Sequence, residues 1–389
     1  MNFDLIFAVI FYSLIFLFYL KHKDKFEIQN KIFALYKTQL GIKLMDKYSK
    51  IFPRFLNFLG YISIITGFIG MIFIFYTIIK GTYKLIYDSF LGVQTQPVLA
   101  PVLPGVSIPG LPTLSFWHWV IAIFVVAVIH EFSHGVFARL YNLKIKSSGF
   151  AFLGPILAAF VEPDEKAMNK KNKMQQLSII SAGPFSNILL ALLVLLIFNF
   201  IFLPLQTNLF MSDGLALVNV EKNSPADLAQ LSQGMIIKQI NGEIIQDQKQ
   251  LVSLIRQSEG KSIKIATDKG DFVVKPEQKE EKYYIGVSVT NNVIVRESIP
   301  EFVLPLTKWF NMLFFWIWVI SLGIGLFNLL PLGPIDGGRM FYVAMLNFFE
   351  KKKAMKIFKG ISLLCLTLIL VNLLPYLLKF FKWIIGFFS

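Results

Sequence analysis

Six stretches of this chain are apolar for long enough to cross a lipid bilayer, at about residues 5–20, 55–79, 116–140, 177–203, 303–330 and 361–388. A hydrocarbon interior offers backbone N–H and C=O groups no partner, so each such stretch has to close its own hydrogen bonds as a helix. Composition agrees: 55% of the 389 residues are hydrophobic, 40 are Phe and only 16% are charged, which excludes an ordinary soluble domain. The expected class is a polytopic α-helical membrane protein with about six transmembrane helices. The first stretch lacks a basic segment before it and has its lysines after it, so it reads as a retained helix with its N-terminus outside.

Lysine and arginine then orient the spans. Residues 21–54 carry nine basic against three acidic side chains, 139–176 carry seven against three, and 339–359 carry six against one. These three loops are assigned to the cytoplasm. Residues 207–304 carry eleven basic and thirteen acidic side chains and 81–115 almost none, which assigns both to the outer side. The net charge of +14 is thereby accounted for by topology and by attraction to anionic lipid, and no nucleic-acid partner is expected. Nor does a glycine-rich phosphate loop precede any helix.

The third span contains His130-Glu131-Phe132-Ser133-His134. Residues four apart share a helix face, so the two imidazoles can reach one metal ion, and Glu131 lies one step round the same helix. Zinc lowers the pKa of water to around neutral, and a neighbouring carboxylate can take that proton as general base and pass it to a leaving amine. An ionisable group at bilayer depth costs about 2.5–3.5 kcal/mol. Three within five residues therefore argue for chemistry over a set of groups that only pair with one another.

A catalytic zinc usually takes a third protein ligand. Cys365, the single cysteine, lies in an apolar run and reads as a small core or lipid-facing residue; His118 sits between Trp117 and Trp119 near the outer mouth, and His22 in a lysine cluster. A carboxylate is needed, and Asp336 ends the fifth span at a depth close to that of His134, in a segment broken by Pro331, Pro334 and three glycines. The other role open to Asp336 is to cap the helix that starts at Gly337. The two are compatible.

With these residues in place, the chain resembles the site-2 protease family of intramembrane zinc metalloproteases. His130-Glu131-x-x-His134 matches the family's first hallmark, and Asp336-Gly337, preceded by Asn328 and Pro331, matches the second; Ile335 replaces the usual leucine. The resemblance covers roughly residues 90–350. It implies one Zn²⁺ per chain held by His130, His134 and Asp336, with Glu131 as base. It also points to Asn187, in Ala182-Gly183-Pro184-Phe185-Ser186-Asn187, and to Asn328 as residues that hold substrate backbone or stabilise the oxyanion. The alternative for both amides is to bond helices together.

The same resemblance reads residues 149–161 as a membrane-reentrant β-hairpin that adds a substrate segment as an extra strand, giving an unwound peptide new backbone partners. The alternative is a buried loop. Residues 207–290 resemble an inserted α+β PDZ domain, through Asn223-Ser224-Pro225-Ala226, Gln233-Gly234-Met235-Ile236-Ile237 and Ile240-Asn241-Gly242-Glu243; Met235 departs from the usual aspartate. A turn is expected at Asp268-Lys269-Gly270-Asp271. This module either filters substrates by ectodomain size, reads a trimmed end, or acts as a plug. Residues 96–112 hold five prolines and form a cap or a tether.

The expected organisation is an N-terminal transmembrane pair that extends or gates the core (1–80), a Pro-rich outer segment (81–115), two parts of a catalytic membrane core (116–206 and 291–349) around the PDZ-like domain (207–290), and a last transmembrane helix (350–389). The expected function is regulated intramembrane proteolysis, the hydrolysis of peptide bonds within or near transmembrane segments of membrane-anchored protein or peptide substrates. The alternative is a catalytically silent membrane protein that binds others through its PDZ module.

Overall fold

The computed structural model describes residues 3–29, 33–93, 95–106, 108–153, 156–279, 282–297 and 299–388. In chain order the elements are α1 (Phe3–Lys21), β1 (Phe26–Gln29), β2 (Phe33–Thr38), α2 (Ile42–Ile51), α3 (Pro53–Phe90), α4 (Phe116–Leu140), β3 (Ile145–Leu153), β4 (Ile156–Pro163), α5 (Glu165–Met168) and α6 (Lys173–Ile197). There follow α7 (Leu203–Leu209), β5 (Phe210–Val220), α8 (Pro225–Leu228), β6 (Ile236–Ile240), β7 (Glu243–Ile244), α9 (Gln248–Gln257), β8 (Ile263–Thr267), β9 (Gly270–Val274), β10 (Glu277–Lys279), β11 (Lys282–Tyr284) and β12 (Val287–Val295). The chain ends with α10 (Val303–Phe327), α11 (Asp336–Met345) and α12 (Lys351–Phe388). Among the described residues six helices are long and apolar enough to cross a membrane: α1, α3, α4, α6 with its continuation to Leu209, α10 and α12. Helix α3 runs to Phe90, so the outer segment expected from residue 81 begins nearly three turns of helix later than its low charge suggests.

The chain divides into two compact units, Met1–Leu196 with Met312–Ser389, and Ile197–Asn311. The first is a helical core. Ile64, Met71, Ile74 and Ile78 of α3 are buried with Leu177, Ile179 and Ile180 of α6 and with Leu329, Leu330 and Met340 around the start of α11. Helix α3 therefore belongs to the core it was expected only to extend or gate. Its Gly60, Gly67 and Gly70 let it lie against Ser178, Met340 and Leu329, and Ser63 meets Ser181 hydroxyl to hydroxyl at 2.7 Å. Close approach over small residues is how apolar helices gain dispersion contact where water supplies no drive.

Beside these helices lies a four-stranded antiparallel sheet, β1-β2-β3-β4. Strand β3 pairs with β4 from Ile145↔Pro163 to Leu153↔Ile156, and β2 pairs with β3 from Phe33↔Leu153 to Thr38↔Ser148. The tip expected for this hairpin, Gly154 and Pro155, lies outside the described residues. Strands β1 and β2 were not anticipated in the basic loop, although Phe26-Glu27-Ile28-Gln29 alternates apolar and polar residues with the period of a strand. They cover the β3 side of the hairpin and leave β4 as an edge.

The second unit holds a sheet in the order β12-β5-β6-β8-β9, with β7 on β6. Leu215, Ile237, Ile240 and Ile265 are its fully buried centre, and α9 adds Leu251 and Ile255 from one face. The turn expected at 268–271 joins β8 to β9, pairing Thr267 with Gly270. Strand β12 is an edge, and between it and α9 runs a groove of about 350 Å³ lined by Leu251, Ile255 and Tyr284 to Val289.

Candidate metal centre

Helix α4 is capped by Ser115, whose hydroxyl accepts from the His118 amide, and continues without proline or glycine to His134. One turn separates His130 from His134, which turns both rings to the same side. Their Nε2 atoms lie 3.2 Å apart. Asp336 Oδ2 sits 3.1 Å from the first and 3.3 Å from the second. All three side chains are largely withdrawn from solvent, at 9%, 13% and 14% exposure.

Asp336 reaches this position because the chain after α10 cannot stay helical. Pro331 and Pro334 lack the N–H a helix needs, and the segment folds back so that the Gly337 amide donates to the Asn328 carbonyl at 2.6 Å. A Cβ on Gly337 would fall 2.2 Å from the Leu329 carbonyl carbon, and one on Gly338 2.0 Å from the Leu332 oxygen. Both contacts are with backbone, so only glycine permits the return. Helix α11 then begins at Asp336, with Ile335 at its cap position and no side-chain cap. The Asp336 carboxylate is directed to the imidazoles; the capping role weighed for it is not what it does here.

The donor set fits zinc. A tetrahedral ion with bonds of ~2.0–2.1 Å holds its ligand atoms ~3.3 Å apart, close to the spacing of this triangle. Neutral imidazoles carry one proton each and a carboxylate none, so mutual hydrogen bonds cannot satisfy all three pairs at once, whereas one cation can. Each ring is also tied from behind: His134 Nδ1 donates to the Ile179 carbonyl at 2.7 Å, and His130 Nδ1 lies 3.0 Å from the side-chain amide of Asn187.

Glu131 faces the same cavity, of about 440 Å³, which α4 shares with β4, Ile179, Ile180, Asn328 and Arg339. Its Oε2 accepts a hydrogen bond from the Val161 amide of β4 at 3.0 Å. The Glu131 carboxylate is thus held at the edge of the hairpin that faces away from β3. Asn328 lines this cavity with Glu131 and Asp336. Asn187 does not: it is fully buried, behind His130 and away from the cavity wall. His118 instead meets the Ser115 hydroxyl, and His22 the Phe18 carbonyl, so neither joins the cluster. Cys365 is buried in the helical core, as expected.

One residue of the centre escaped the sequence reading. A Cβ on Gly183 would lie 2.3 Å from His134 Nε2 and 2.6 Å from His130 Nε2. Helix α6 therefore approaches the ligand atoms along a residue without a side chain. The signal was present in Ala182-Gly183-Pro184, where a glycine inside a membrane helix marks a close approach.

Comparison with known proteins gives a consistent picture. The profile of peptidase family M50 matches residues 118–373. An uncharacterised protein of Methanocaldococcus jannaschii is 30% identical over 312 residues, spanning 79% of this chain and 76% of that protein. A provisionally named zinc metalloprotease of Clostridium acetobutylicum is 26% identical over 305 residues, 59% of this chain and 86% of its own. Another, from Clostridium perfringens, is 21% identical over 302 residues, 63% of this chain and 87% of its own. Among solved structures, the PDZ domain of an SdrC-like protein of Listeria monocytogenes is 22% identical, with a TM-score of 0.19, over 20% of this chain and 88% of its own.

Proposed function

Because this chain belongs to peptidase family M50, the zinc metalloproteases of the site-2 type, we propose that it hydrolyses peptide bonds within or beside the transmembrane segments of membrane-anchored proteins. The observation that carries this reading is the triangle of His130 Nε2, His134 Nε2 and Asp336 Oδ2, with Glu131 on the same cavity, where His130, Glu131 and His134 lie on a helix apolar enough to span a bilayer and Asp336 begins the short helix α11.

His130, His134 and Asp336 would hold the zinc ion, which supplies a polarised scissile carbonyl and a water acidic enough to lose its proton near neutral pH. Glu131 takes that proton as general base and delivers it to the nitrogen of the leaving amine. The Glu131 carboxylate, held by the Val161 amide, favours the step by leaving little to reorganise. Asn328, on the cavity wall, is placed to hold the substrate backbone or the oxyanion.

A helical peptide bond is shielded by its own hydrogen bonds and has to be drawn out before attack. Strand β4 offers the means. The Val161 amide points away from β3, and by the alternation of an antiparallel pair Ala159 presents its N–H and C=O the same way. A substrate strand added along this edge would lie against Glu131. The hairpin is accordingly read as reentrant. The excess of basic residues in 21–54, 139–176 and 339–359 supports a cytoplasmic position for the centre and an outer one for residues 207–290. The groove beside β12 suits a module that reads the end of a trimmed substrate, with filtering by ectodomain size as its other use.

The test is co-expression with single-span membrane proteins, comparing the intact chain with Glu131→Gln and mapping products by mass spectrometry. Cleavage inside or next to a span by the intact chain, lost in a Glu131→Gln variant that keeps its zinc, is the expected result. Turnover by that variant near the intact level would remove the assigned base.

A further inference from the structure

Asn187 has a peculiar environment. It is fully buried on α6, its Nδ2 lies 3.0 Å from His130 Nδ1, and its Oδ1 is buried with no hydrogen-bond partner. An orphaned buried amide oxygen costs about 1–3 kcal/mol, so its retention calls for a reason.

The chemistry of His130 supplies one. A neutral imidazole has a single N–H, and a ring whose Nε2 binds a metal carries that proton on Nδ1. Nδ1 then needs an acceptor, as His134 has in the Ile179 carbonyl. An amide NH₂ cannot accept; an amide oxygen can. A half-turn of the Asn187 amide exchanges the two atoms within the same volume, giving the Nδ1 proton its acceptor and the oxygen a partner, with the NH₂ group taking the place the oxygen held.

We infer that Asn187 is a positioning residue for the metal centre: its amide oxygen accepts the Nδ1 proton of His130, fixing the ring's tautomer and tilt so that Nε2 is presented to zinc. This rests on the assignment of His130, His134 and Asp336 as ligands made above. The same contact bonds α6 to α4, so the role of an amide that joins helices is compatible with this one; α6 is tied to α10 separately, by the Ser321 hydroxyl donating to the backbone carbonyl of Asn187 at 2.8 Å. The side chain takes no part in that tie.

The test measures zinc affinity by chelator competition on the purified full-length protein, with the absorption spectrum of the cobalt(II)-substituted form as a second readout. Outer partners of this kind change metal affinity by roughly 10–100-fold. Asn187→Leu, close in volume and unable to accept, should weaken zinc binding by that factor and shift the cobalt bands. Asn187→Asp keeps an acceptor and should bind zinc at least as tightly as the native chain. Ser321→Ala, which removes the helix tie alone, should leave affinity unchanged, and His130→Ala should abolish tight binding. An Asn187→Leu protein within twofold of native affinity, or an Asn187→Asp protein as weak as Asn187→Leu, would overturn the inference while the ligand set stands. Should Asn187→Leu fail to accumulate, Asn187→Asp and Ser321→Ala still decide: zinc lost with an acceptor present, or lost with the helix tie alone, refutes the role. Tight binding retained in His130→Ala would remove the ligand assignment and this inference with it.

Discussion

The Glu131 carboxylate accepts a hydrogen bond from the backbone amide of Val161 at 3.0 Å, joining the proposed base on α4 to the edge of β4 that faces away from β3. The proposed base and the proposed substrate platform are one contact apart, so a strand that pairs with β4 would be brought to the Glu131 carboxylate.

That bond can be removed without changing a side chain's charge. Proline is tolerated on an edge strand where its missing N–H points outward, and Pro163 already occupies the same register two residues on. Val161→Pro should leave the zinc content intact and lower cleavage about 10–100-fold, the equivalent of the ~1.5–3 kcal/mol expected of a hydrogen bond to a charged group. Single-turnover cleavage of a single-span substrate, alongside zinc stoichiometry, checks it. Native rates would show that neither the base nor the substrate depends on this amide.

A methyl group at Gly183 has nowhere to go, because both neighbours it would meet are the rigid imidazole nitrogens of His130 and His134. Gly183→Ala should therefore cost at least about 100-fold in zinc affinity, at the upper end of what disturbance around a metal centre produces. Gly323 of α10 is the matched control, since a Cβ there meets nothing within 4 Å. Gly323→Ala should keep native zinc content, and metal analysis of the two purified variants distinguishes them.

The helices were legible because hydropathy is a local property: each apolar run carries its own signal, and the bilayer dictates the secondary structure. His130 and His134 were legible for the same reason, since a spacing of four reports a shared helix face. Asp336 could be picked out because prolines and glycines at membrane depth are rare unless they serve a broken segment. The failures are all matters of partnership across the chain. Strands β1 and β2 are four and six residues long and pair with each other, and β2 finds its second partner β3 more than a hundred residues away, so their weak alternation was outweighed by the basic charge around it. Gly183 matters only because α6 meets α4 there, and Asn187 was placed near the centre without the sequence being able to say which side of the His130 ring it occupies. Helix α3 looked peripheral because its glycines signal contact but not with what.

The last case concerns the Pro-rich outer segment, read from sequence as cap or tether. Asn372 of α12 is fully buried; its Oδ1 accepts from the Val98 amide at 3.1 Å, and its Nδ2 donates to the Thr82 hydroxyl at 2.6 Å and the Leu368 carbonyl at 2.9 Å. Trp119 Nε1 donates to the Val102 carbonyl at 3.0 Å, and Val98 packs so closely on Gly81 that a Cβ there would fall 2.0 Å from its methyl group. The segment is therefore pinned to α3, α4 and α12 at Val98 and Val102, four residues apart. Asn372→Leu strands the Val98 amide, while the Thr82 hydroxyl keeps its bond to the Ile78 carbonyl, at a cost of roughly 1–3 kcal/mol for the group left unpaired. The expected outcome is faster limited proteolysis within 96–112, with zinc affinity unchanged because the metal centre is built from other contacts. Unaltered proteolysis would mean that packing on Gly81 and Trp119 suffices to hold the segment.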